Sequence, residues 1–186
     1  MKKIILVSSS TRRINIMKIL GFDIKVIIPC INEEKKVGET GENLVLRLAN
    51  EKINTIKEKF NIPLISADTI VKIKNNILGK PKNYQDAFNM LKLLSGKEHM
   101  VLTAFAIKLK KEIKTQIVKT KVLFRELSNC EILAYIKKDK IMDKAGAYSV
   151  QDYAATFIES INGSYSNVLG LPVSELLKVL VEIQNV

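Results

Sequence analysis

Four polar clusters, each set where an apolar, strand-like run ends, constrain this chain more than any other feature. They are Ser8-Ser9-Ser10-Thr11-Arg12-Arg13, Ala67-Asp68-Thr69, Leu78-Gly79-Lys80-Pro81 and Lys144-Ala145-Gly146-Ala147-Tyr148-Ser149-Val150-Gln151. Buried strands that run into polar loops imply a sheet with its functional groups gathered at strand ends. As a set the clusters offer anion donors, a carboxylate and amide groups, which suits a site for a phosphorylated ligand.

Between the clusters the chain reads as short strands and helices. Ile4–Val7 is apolar throughout, the pattern of a buried strand. Thr11–Leu20 follows with helical spacing, Ser10 or Thr11 as N-cap, an apolar face at Ile16, Ile19 and Leu20, and Gly21 as its stop. Asp23–Ile28 is a second strand stopped by Pro29, and Asn43–Phe60 a long helical pattern carrying Leu44, Leu48 and Ile56. Leu64–Ala67 and Ile70–Ile73 read as strands on either side of Asp68-Thr69, with Asn75-Asn76 as a hairpin turn. Asn83–Leu94 is helical. Two long strands, Met100–Leu109 and Gln116–Phe124, flank the charged link Lys110-Lys111-Glu112. Ser128–Lys138 is a helix in which Ser128 and Glu131 have capping-box spacing, Phe157–Ile161 a short strand, and Val173–Ile183 a last helix. No repeat, low-complexity tract or linker interrupts the 186 residues, which predicts one α/β domain, residues 1–186, around a mixed twisted sheet.

The formal net charge is +11, and only four of the 30 basic residues (12, 13, 47 and 125) are Arg. The lysines are scattered and form no stripe with interleaved aromatics. That argues against nucleic-acid binding and leaves solvated surface with some attraction for anionic ligands. Cys30 and Cys130 have no CxxC or metal-ligand spacing and read as reduced thiols of a cytoplasmic protein. The apolar run that opens the chain is too short for a signal peptide, and no run approaches the ~18 residues of a membrane span. His99 is the only histidine and reads as structural.

Each cluster carries chemistry and also an ordinary alternative. Ser8 to Arg13 turns a strand into a helix whose first N–H groups, serine hydroxyls and two guanidinium forks match phosphate oxygens; it also fits a plain N-cap beside two exposed arginines. Asp68, at the end of an apolar run, can ligate a divalent metal or act as a general base on water, or cap a turn. Lys80, in a loop stiffened by Gly79 and Pro81, can reach a phosphate as a point charge or stand on the surface. Lys52 fits either an exposed helical lysine or one aimed into a cleft. The small residues around Lys144 permit close backbone approach, and Gln151 offers the acceptor and donors needed to read a pyrimidine edge; a tight packed loop is the alternative. The long polar segment Gly163–Pro172 has the length of a functional loop.

Jointly, the segments LVSSSTRR, ISADTIV, ILGKPKN, MLKLLSGKEH, DKAGAYSVQDYAA and GSYSNVLGLP resemble, in order and spacing, the signatures of the Maf family of nucleoside triphosphate pyrophosphatases, over Ile4 to about Leu180. The resemblance implies an inosine-triphosphatase-like fold, shared with Ham1 proteins: a mixed twisted sheet flanked by helices around a deep central cleft. It implies cleavage between the α and β phosphates, with Asp68 as the catalytic base and a divalent cation, Mg²⁺ or Mn²⁺, held by Asp68 and Glu33. Ser8, Arg13, Lys52 and Lys80 match the family's phosphate-binding residues. Arg12, Thr69 and Gln151 match its base-selecting positions, in the combination of the dTTP/UTP branch, with modified pyrimidine nucleotides as further candidates. Family members are often homodimers. The alternative is a nucleotide-binding regulator of septum formation and cell division without turnover. Two residues depart from the pattern: Thr11 stands where Pro is common, and Asn32 where an acidic residue is common.

Overall fold

A computed structural model describes residues 2–138 and 141–184 of the chain. Strand β1 (Lys3–Val7) is buried from Ile4 onward because it lies between two parallel neighbours, β2 (Asp23–Ile27) and β3 (Leu64–Ile73). With β4 (Asn76–Leu78), β5 (Glu98–Leu109), β6 (Glu112–Phe124) and β7 (Ile158–Asn162) they form a seven-stranded mixed sheet, in the order β2-β1-β3-β5-β6-β7 with β4 on β3. The helices are α1 (Thr11–Ile19), α2 (Gly41–Asn54), α3 (Tyr84–Leu94), α4 (Asn129–Lys138), α5 (Tyr165–Val168) and α6 (Val173–Gln184). This is the mixed α/β sheet with helices that the sequence predicts.

Several boundaries differ from expectation. Asp68 and Thr69 do not separate two strands: β3 runs unbroken through them. Helix α2 ends at Asn54 rather than Phe60, where the Thr55 hydroxyl takes the Lys52 carbonyl at 2.7 Å. It begins earlier, with Thr40 accepting the Asn43 N–H. Helix α1 is capped by Ser10, so Thr11 in place of Pro leaves the cap intact. Its inner stripe is Arg13, Ile16 and Met17, an i, i+3, i+4 set, while Ile19 is 85% exposed. An arginine on the inner stripe hid that face from the pattern. The Ser128–Glu131 capping box forms, each backbone N–H reaching the other's side chain. The Gly163–Pro172 segment contains α5, capped by Ser164.

The chain packs as two compact units. The first comprises Met1–Asp68, Thr103–Val118 and Gly170–Val186, the second Thr69–Leu102 and Lys119–Leu169. The core of the first is drawn from β1, β3, β5, α2 and α6, with Leu6, Val45, Ile65, Phe105 and Leu176 buried. In the second, Leu91, Ile132 and Ile136 from α3 and α4 meet an aromatic group of Phe124, Tyr148 and Phe157. No helix among the described residues is long and apolar enough to cross a membrane.

Candidate active site

The site of the first unit is set by how α2 sits on β3. The Ser66 hydroxyl donates to the Ala49 carbonyl at 2.6 Å, which fixes the helix against the strand. Two residues further along the strand, on the same face, stands Asp68. One turn further along the helix stands Lys52. The Lys52 Nζ donates to Asp68 Oδ1 at 2.6 Å and lies 2.7 Å from Glu33 Oε1. Both partners of the first pair are buried, whereas the Glu33 side chain is 43% exposed. Lys52 is therefore no surface lysine: one ammonium joins two carboxylates.

The end of β1 supplies the adjoining cation. Val7 pairs with Ser66, so the Ser8 loop begins beside Ala67 and next to Asp68. Arg13 is buried and held by backbone acceptors, Nε to the Gly170 carbonyl at 2.7 Å and Nη1 to the Ala67 carbonyl at 2.9 Å. The buried Ser8 hydroxyl accepts the Ser10 N–H at 3.1 Å and lies 3.4 Å from Arg13 Nη1. Arg12, the next residue round the helix, is half-buried. The structure thus brings Ser8, Arg13, Glu33, Lys52 and Asp68 together.

Burial pushes the Asp68 carboxyl above its ordinary value. The Lys52 ammonium opposes that rise, Arg13 opposes it more weakly, and Glu33 adds to it. Burial also lowers the Arg13 guanidinium, against the pull of Asp68.

The second unit brings together two other clusters. The Gly146 N–H donates to the Gly79 carbonyl at 3.0 Å, tying the Lys80 loop to the loop that ends at Gln151. Gly146 has φ +67°, and a Cβ there would lie 2.9 Å from Val71 Cγ2, so only glycine fits without displacement. Lys80 and Gln151 are exposed and Thr69 is half-buried. Lys144 is buried, its Nζ 3.3 Å from Asp152 Oδ2. Asp152 Oδ1 accepts from the Tyr135 hydroxyl at 3.2 Å and from the Ala154 N–H at 3.0 Å. His99 lies inside β5, buried, with Nε2 2.8 Å from the Tyr148 hydroxyl; burial holds its imidazole down to about 4. It is a core residue, as its isolation in the sequence predicts. Cys30 and Cys130 are free and exposed.

Two contributors escape the sequence patterns. Asp152 has no signal beyond following Gln151. Arg47, at the centre of an ion-pair network with Glu39 and Glu51, could have been noticed as one of four arginines among so many lysines. A polar groove lined by Asn32, Lys36, Arg47, Glu51 and Lys57 lies alongside and holds none of the predicted site residues.

A mixed α/β protein with a buried acid and a basic strand-end loop is thus defined by geometry. The Maf-like protein family model matches residues 3–183, and the chain belongs to the Maf family. It is 48% identical over 178 residues to the dTTP/UTP pyrophosphatase of Thermosipho melanesiensis, covering 95% of this chain and 96% of that one. It is 42% identical over 182 residues to the dTTP/UTP pyrophosphatase of Aquifex aeolicus, covering 97% and 95%. A solved HAM1 protein from Coxiella burnetii aligns over 98% of this chain and 100% of its own, at 16% identity and a TM-score of 0.45.

Proposed function

We propose that this protein hydrolyses nucleoside triphosphates, dTTP and UTP foremost, to the monophosphate and pyrophosphate, with Asp68 as general base. The observation that carries the reading is the buried Asp68 bonded to Lys52 beside Glu33 and Arg13, in a chain of the same family as curated dTTP/UTP pyrophosphatases. Asp68 takes a proton from water as its oxygen attacks the α phosphorus. The new P–O bond forms while the bond to the bridging oxygen breaks, and pyrophosphate leaves with that oxygen. Lys52 is near enough to hold negative charge as it develops, and Arg13, fixed by its backbone acceptors, presents a charge that needs no reorganisation. Ser8 completes the phosphate-binding loop, and Lys80 adds a further phosphate-binding charge. Arg12, Thr69 and Gln151 read the base, where an unpaired polar group penalises the wrong nucleotide.

Glu33 and Asp68 fit a divalent cation such as Mg²⁺ or Mn²⁺. Both are hard oxygen donors gathered on one nitrogen, and Mg²⁺ is commonly held by one or two carboxylates plus substrate phosphates. Among the described residues no group of three or more His, Cys, Asp or Glu gathers to cage an ion. When bound, the cation would supply neutralisation of the phosphate charge. The same reading carries a homodimeric assembly and a cytoplasmic location.

The test is pyrophosphate release from a panel of standard and modified triphosphates with and without Mg²⁺, for the wild type and Asp68→Asn. The amide keeps the shape and cannot accept the proton, so release should fall about 10²–10⁴-fold with an unchanged circular dichroism spectrum. Normal turnover by that variant removes Asp68 from its role. Tight dTTP binding without release of pyrophosphate overturns the enzymatic reading itself.

A further inference from the structure

Glu33 raises a question of support. It is an exposed residue in a segment without helix or strand, residues 28–39, yet its carboxylate meets the buried Lys52 at 2.7 Å. A side chain on a loose loop loses conformational freedom to hold such a contact, and exposed ion pairs rarely compensate for that loss.

What holds the segment is Arg47. Its Nε and Nη2 grip both oxygens of Glu39 at 2.7 and 2.9 Å, a bidentate fork. The same Nη2 donates to the Glu34 carbonyl at 2.9 Å, the residue next to Glu33. Nη1 donates to Glu51 at 2.9 Å, one turn along α2, which locks the arginine to its own helix. The Arg47 and Glu39 side chains are only 16% and 8% exposed, so the fork to Glu39 is part-buried. Arg47 and Lys52 project about 140° apart around α2, so the segment straddles the helix and is fastened on both sides. Within the segment, Asn32 Oδ1 accepts the Glu34 N–H at 2.9 Å and shapes the turn that carries Glu33. That gives Asn32, where an acid is common, a structural use.

We propose that Arg47 is a positioning residue for Glu33: it clamps the 33–39 segment to α2 so that the Glu33 carboxylate is already in place at Lys52 when substrate arrives. The inference rests on the hydrolytic reading above. A lysine cannot replace it, because an ammonium has no fork to take both Glu39 oxygens and the Glu34 carbonyl together.

The experiment is a double-mutant cycle on the full chain, Arg47→Ala against Glu33→Gln, read by pyrophosphate release from dTTP and by amide hydrogen exchange over residues 31–39. Arg47→Ala should lower kcat about 10–100-fold, the usual loss when a supporting contact to a working side chain goes, with KM nearly unchanged. In the Glu33→Gln background it should change kcat less than about twofold, because the group it positions is already gone. Exchange over 31–39 should quicken about tenfold or more, and Arg47→Lys should lie between. Equal losses of kcat in both backgrounds, or unchanged exchange, overturn the proposal, as does full activity of Glu33→Gln. Should Arg47→Ala fail to fold, Glu39→Gln weakens the fork and leaves the bonds to Glu51 and Glu34; it must quicken the same exchange. A wild type that releases no pyrophosphate from any triphosphate refutes the hydrolytic reading, while the exchange arm still decides whether the clamp exists.

Discussion

Replacing Lys52 with methionine tests whether the central ion pair is as buried as its geometry implies. The side chain keeps most of its length and loses its charge. Asp68 is left with its side chain 10% exposed and without the ammonium 2.6 Å away; Glu33 is 43% exposed, so water reaches it. Removing one partner of a buried pair costs about 3–5 kcal/mol, whereas an exposed contact is worth about 0–1, so Asp68 dominates the loss. For a chain of this size that is a fall in Tm of about 6–20 °C. The loss should depend on pH. The folded-state value of Asp68 is raised by burial above its ordinary 3.8. Its contribution to stability is therefore fully present below 3.8 and is lost as pH rises through the folded value. Lys52 restrains that rise, so without it the folded value climbs further, and the deficit widens by up to about 1.4 kcal/mol per pH unit before levelling off. Melts of both proteins at pH 4.5 and pH 8 give the answer. A deficit independent of pH, or one under about 1 kcal/mol at pH 8, would mean that water screens the pair and that the account of Asp68 as a desolvated acid is wrong.

Two further outcomes follow from the second unit. His99 is held neutral by burial, its value down to about 4 from 6.5, so its contribution to stability is present above 6.5 and lost as pH falls through the folded value. His99→Phe should flatten the acid limb of a Tm–pH curve by up to about 3 kcal/mol between those limits, and an unchanged limb would reject that burial. Gly146→Ala should cost about 1–3 kcal/mol, because the residue sits at φ +67° with Val71 in the way, and should slacken the tie to Gly79; a melt equal to wild type would refute the close approach.

Much of the fold was legible. β1 is a buried apolar run, the Ser128–Glu131 box marks a helix start, and the two long strands around Lys110-Lys111 form as expected. The bounds of α2 were set by local caps, but the exceptions around the candidate site share another cause: polar residues whose partners lie far off in sequence. Asp68 looked like a strand break because nothing local tells that its face of β3 meets Lys52, sixteen residues earlier. Lys52 looked like any helical lysine for the same reason. Arg13 hid the inner stripe of α1 by occupying it. The family motifs named candidate site residues, but spacing alone could not have shown that one ammonium joins two carboxylates, nor that Arg47 grips the segment bearing one of them.

The strand that carries the acid works by parity. Ser66 reaches the Ala49 carbonyl and Asp68 meets the lysine one turn on, because residues two apart in an extended chain look the same way. Deleting Ala67, the one residue between them, would turn the carboxylate to the far side of the sheet from Ser66 while leaving nearly every amino acid in place. Such a protein would have almost the same composition and charge as this one, and no acid where the chemistry is proposed to occur.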